Sequence, residues 1–74
     1  MKYRKKPIIV EAEQWYPGEN IPGVQTDGTF SWVVTIHNQK SYLEPGDYVI
    51  REPDGIHYYP CKPEVFRNTY EKVE

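Results

Sequence analysis

A single cysteine, Cys61, cannot close an internal disulfide, so nothing in this chain calls for an oxidising compartment. Charge of one sign is also missing: nine Lys and Arg stand against eleven Asp and Glu, a formal net charge of −2. That balance is too near neutral to capture a nucleic-acid duplex, and too weak for a DNA mimic, so no long nucleic acid is expected as a partner. The apolar run Ile8 to Val10 is stopped by Glu11, far short of a signal-peptide core or a membrane span. A soluble, cytoplasmic protein with no membrane partner is expected. No GxGxxG or GxxxxGK[ST] loop offers a phosphate cradle, and no paired cysteines or HxxxH spacing offer a zinc set, so no cofactor and no metal are expected. Repeats and low-complexity tracts are absent from the sequence.

What is present is aromatic. Seven Tyr and two Trp lead an aromatic content of 15% in 74 residues, which is a core of few, large pieces in one small domain, 1–74. Such a core often leans on a partner subunit, and Trp15 and Trp32 on predicted strands lead us to expect a homo-oligomer. The charges are unevenly placed, with Lys2, Arg4, Lys5 and Lys6 at the start and Glu64, Glu71 and Glu74 at the end. The basic start reads either as a solvated arm or as an anion-binding one.

Residues 6–16 are rich in β-branched and aromatic side chains and read as a long strand, with Ile8, Val10 and Ala12 facing the core. Trp15 then shares a face with Glu11 and Glu13, either covering the sheet edge or making a surface contact. Residues 17–28 hold two Pro and three Gly and read as a long loop, a plain connection or a binding surface. From 30 to 36 the alternation sets Phe30, Trp32, Val34 and Ile36 on the predicted core face and Ser31, Val33 and Thr35 on the other. Asn38 and Gln39 suit a hairpin tip, with 40–44 returning. Pro45 and Gly46 make a turn, and 48–52 follow as a strand. Pro53, Asp54 and Gly55 signal a second hairpin that pairs 56–59 with 48–51, before Pro60 and Cys61 break the strand. Pro63 suits the first position of a short helix ending near Asn68, whose Val65 and Phe66 plug the sheet, and a last strand ends the chain. The fold expected is mainly β: a small antiparallel, partly open barrel-like sheet with one short helix before the last strand. Its predicted core takes Ile8, Val10, Val34, Ile36, Val49, Tyr58, Phe66 and Tyr70.

Two stretches, KYRKKPIIVEAEQW at 2–15 and GDYVI at 46–50 continuing to YPCKPEVFRNTYE at 59–71, resemble the opening and the closing signature of a family of very short proteins carried by phages and prophages. The resemblance covers about half the chain and leaves 16–44 unmatched. It implies a phage or prophage accessory protein made in the bacterial host cytoplasm. Small phage proteins as a class include some that counteract host defence by sequestering a signalling nucleotide.

Among the residues themselves, His57 and Cys61 come nearest to a catalytic pair, since a helix start could lower the Cys61 pKa. Neither a third residue nor a complete triad accompanies them, and a small buried thiol is the competing reading. No catalytic residue is assigned. Arg51 and Lys62, with Tyr58 and Tyr59 as stacking faces, form the candidate ligand-binding set for a small anionic, nucleotide-like ligand. A non-catalytic binding module acting on such a ligand or on a host protein is therefore expected. A thiol-dependent enzyme centred on Cys61, or a minor virion or assembly component, is the alternative.

Overall fold

Pro45 presets its own φ and Gly46 takes φ +92°, so residues 44–47 reverse the chain, with the Asp47 N–H donating to the Glu44 carbonyl at 3.0 Å. The computed structural model describes residues 1–3 and 9–72. From this turn β5 (Tyr48–Arg51) runs to the Pro53–Gly55 turn, where Gly55 adopts φ +73°. There β6 (Tyr58–Cys61) folds back antiparallel, placing Tyr59 opposite Ile50 and Pro60 opposite Val49. On the far side of β5, β1 (Ala12–Gln14) pairs antiparallel, Ala12 opposite Ile50. A second sheet has the order β2 (Gln25–Thr26), β3 (Ser31–Val34), β4 (Lys40–Tyr42). Asn38, at φ 58°, closes the β3–β4 hairpin after a turn in which its N–H donates to the Thr35 carbonyl at 2.8 Å. The helix α1 (Pro63–Thr69) starts on Pro63, and Glu64 in its first turn and Arg67 in its last complement the helix dipole.

The architecture is thus mainly β and antiparallel, with one short helix near the C-terminus. Among the described residues six strands form two three-stranded sheets rather than a closed barrel. β6 packs against β3 and β4, joining the sheets. Between them lie Trp15, Ile21, Val33, Leu43 and Val49, with Val24 and Tyr58 packed on the cluster. The other face of the first sheet carries Tyr48, Ile50, Tyr59 and Cys61 by register. There Phe66 stacks on Tyr48 at 3.8 Å between ring centroids and Tyr70 stacks on Phe66 at 4.9 Å, while Ile50 is fully buried. Among the described residues no helix is long and apolar enough to cross a membrane.

Several sequence-based expectations change. The long first strand shortens to β1, with Lys6 to Ile8 lying outside the described residues and Ile9 exposed. Trp15 is neither an edge cover nor a surface contact but a core residue at 5% exposure. The loop 17–28 contains the two-residue β2. Pro60 and Cys61 continue β6 instead of ending it, which is possible because β6 is an edge strand and its proline needs no ladder donor on the open side. Residues 70–72 form no strand, and 73–74 lie outside the described residues. Of the predicted core, Val49 is buried, Val10, Val34, Tyr58, Phe66 and Tyr70 are half-buried, and Ile8 is outside the described residues. Val65 points to solvent while Phe66 alone packs inward.

The largest change concerns β3. Its predicted solvent-side residue Val33 is fully buried, whereas Phe30 and Ile36 of the predicted core face are 60% and 50% exposed. Within β3 itself Trp32, at 9% exposure, is buried as expected and Val34 half-buried, on the side opposite to Val33.

Gly23 is where the loop crosses the core. Its φ is +91°, and a Cβ there would lie 2.3 Å from the Tyr58 ring. Gly23→Ala combines left-handed backbone strain, about 1–2 kcal/mol, with a clash of about 1–3 kcal/mol. Gly18→Ala, at φ +91° with open space around it, carries only the backbone part. Urea denaturation of both variants should place Gly23→Ala clearly below Gly18→Ala; equal midpoints would contradict this packing.

Candidate functional site

The four residues proposed from sequence do not converge. Arg51 faces Tyr58 across the β5–β6 ladder, at the hairpin end. Lys62 follows Cys61 at the opposite end of β6, roughly 13 Å along the strand. Tyr58 and Tyr59 project to opposite faces, Tyr58 onto the inter-sheet core and Tyr59 toward the helix. Both cations are already engaged. Arg51 donates to Glu11 at 3.2 Å and to the Gly55 carbonyl at 3.1 Å. Lys62 meets Glu44 at 3.0 Å and the buried Asp47 at 3.4 Å, and the Glu44 hydrogen bond leads the interactions that raise its pKa.

An open groove of about 1460 Å³ runs beside β1, and Arg51, Tyr58 and Tyr59 line it while Lys62 does not. Its aromatic wall is Tyr48, Phe66, Tyr70 and Tyr59. Tyr59 and Tyr70 share a hydroxyl contact at 3.2 Å, and burial, reinforced by that contact, pushes the Tyr59 phenol well above its ordinary range. The ionic lining is Glu11, Glu13, Glu52 and Glu71 against Arg51 and Lys72. Among the described residues this lining holds four carboxylates against two cations, one of them paired to Glu11, a balance that does not favour an anion.

His57 and Cys61 are also apart in role. The His57 ring sets Nδ1 on the Asp54 carboxylate and Nε2 3.3 Å from Asn38 Oδ1, so it ties the β5–β6 hairpin to the β3–β4 hairpin. Asp54 accepts in addition from the backbone N–H groups of Ile56 and His57, both at 2.9 Å. Cys61 Sγ donates to the carbonyl of Lys62 at 3.6 Å, and burial together with nearby Asp47 pushes its thiol up, opposite to what a nucleophile requires.

Sequence reasoning missed the surface that stands out in the fold. On the outer side of the second sheet Trp32 lies opposite Tyr42, their rings 5.9 Å apart edge to face, and Phe30 packs on Tyr42 at 6.0 Å. Phe30 and Tyr42 are 60% and 58% exposed, while Trp32 is 9% exposed, with the Lys40 ammonium 4.3 Å from its ring centroid. The turn before β3 holds Phe30 in place: Asp27 accepts from the N–H groups of Thr29 and Phe30 at 2.9 and 2.7 Å, and Thr26 donates to the Phe30 carbonyl at 2.8 Å. The Trp32 indole N–H is buried without an acceptor among the described residues. The alternation of 30–36 was the available signal, assigned to the wrong side.

Compared with family models, with curated proteins and with solved structures, the chain matches none.

The Asp54 cluster gives a pH prediction. Hydrogen bonds from the His57 backbone and ring, then from Ile56, lower its pKa from 3.8 to about 2. A depressed carboxylate contributes stability that is fully present above 3.8 and is lost as pH falls through about 2. Carbon-detected NMR should show Asp54 titrating near 2, with the Ile56 and His57 amide protons moving in the same step. A midpoint near the ordinary value would contradict the cluster.

Proposed function

We propose that this chain is a non-catalytic binding module, a phage or prophage accessory protein that acts in the bacterial cytoplasm by holding a host protein, with interference in host defence as its role. The carrying observation is the outward aromatic face of the second sheet. A monomer this small gains nothing in stability by turning Phe30 and Tyr42 to water, and adjoining bare aromatic rings of that kind suit contact with another protein. The phage context rests on the resemblance of residues 2–15 and 46–71 alone.

Of the two partner classes left open by the sequence, a host protein is favoured over a small anionic ligand. Arg51, at the hairpin end of β5, and Lys62, just past the far end of β6, are held in ion pairs, and among the described residues the groove that takes three of the four candidate residues carries four carboxylates and two cations. A thiol-dependent enzyme is disfavoured by the raised pKa of Cys61 and by the engagement of His57 with Asp54 and Asn38.

The double variant Phe30→Ala, Tyr42→Ala removes the exposed rings without touching the inter-sheet cluster. Affinity capture from a bacterial lysate should yield a host protein with the parent chain and lose it with the variant, while circular dichroism of the two stays the same. Identical captures would refute the assignment of binding to this face.

A further inference from the structure

The outer face of the second sheet carries information about what it binds. The three strands supply Gln25 and Thr26, Ser31 to Val34, and Lys40 to Tyr42, with no carboxylate among them. Asp27, in the turn before β3, is occupied by the Thr29 and Phe30 N–H groups. It offers donors instead: the Lys40 ammonium and the Trp32 indole N–H, which is buried with no acceptor among the described residues, beside a Tyr42 hydroxyl that can give or take a hydrogen bond. A buried donor without a partner is a standing cost that an incoming carbonyl would relieve. The bare area is small. Phe30 and Tyr42 at their observed exposures leave roughly 250 Å² of ring surface uncovered.

We propose that this face binds an extended, proline-rich segment of a partner protein, a deeper form of the binding-module reading above and dependent on it. A polyproline segment presents carbonyl acceptors and lacks N–H donors, which complements a face of donors. Its pyrrolidine rings pack on exposed aromatic rings, and its stiffness keeps the entropy of docking low, so a patch of this size is sufficient. A second copy of the chain would bring its own Lys40 ammonium and indole donor to the same face. Lys40, exposed and lying over Trp32, is the side chain that moves aside to admit a carbonyl to the indole.

The test is NMR titration of the full chain with capped decaproline, using a capped glycine–serine decapeptide as control. The expected result is a saturable shift of the Trp32 indole proton with decaproline alone. The Trp15 indole, buried in the inter-sheet core, should stay still. Phe30→Ala with Tyr42→Ala should weaken the binding roughly tenfold or more. No shift at millimolar decaproline, an equal response to the control peptide, or shifts centred elsewhere would overturn the proposal. So would light scattering that shows the parent chain dimeric and the double variant monomeric, because a second copy would then be the occupant. If decaproline is silent but the double variant still loses its captured host protein, this proposal fails and the binding-module reading stands. If both are silent, both fail.

Discussion

The space between the two sheets accepts one side of β3, and that constraint decides the character of the molecule. Val33 is fully buried there, in one cluster with Trp15, Ile21, Leu43 and Val49. Side chains alternate along a strand, so seating Val33 inward sends Phe30, Trp32 and Val34 outward together; a slip of one residue would reverse every one of them. Trp32 is then sheltered by Tyr42 and Lys40, while Phe30 stays largely bare. The proposed binding surface is a direct product of how the core is filled.

The first sheet is held in register by the turn at 44–47. Asp47, at 3% exposure, accepts from the Glu44 N–H at 2.9 Å and from Lys62 at 3.4 Å, while its backbone carbonyl accepts from Trp15 at 2.8 Å. Gly46 adds a donor to the Trp15 carbonyl and accepts from the Gln14 side chain at 3.0 Å. One turn therefore ties the end of β1, the start of β5 and the junction of β6 with α1. Lys62 is better understood as part of this joint than as a free cation.

The turns were legible because their chemistry is local: Pro45 with Gly46, Pro53 to Gly55, and Pro63 at a helix start each specify backbone angles within a few residues. The antiparallel, mainly β class followed from those signals. The side of β3 that enters the core was not legible, because both sides of 30–36 carry apolar residues and the choice depends on Val49 and Leu43, distant in sequence. The candidate site failed for a similar reason. Arg51 and Lys62 looked free only because their partners, Glu11 for one and Glu44 with Asp47 for the other, come from far along the chain. Pro60 misled because a proline ends a central strand but not an edge strand.

The central claim is that β3 presents Val33 to the core and Phe30 to the outside. Equilibrium urea unfolding of Val33→Ala and Phe30→Ala, side by side with the parent chain, tests it most directly. Removing two methyl groups from the filled core should lower stability by about 2 kcal/mol, whereas truncating the larger but exposed Phe30 should change it by less than about 0.5 kcal/mol. A large loss for Phe30→Ala with little effect from Val33→Ala would mean that the strand faces the other way and that the outward aromatic surface does not exist.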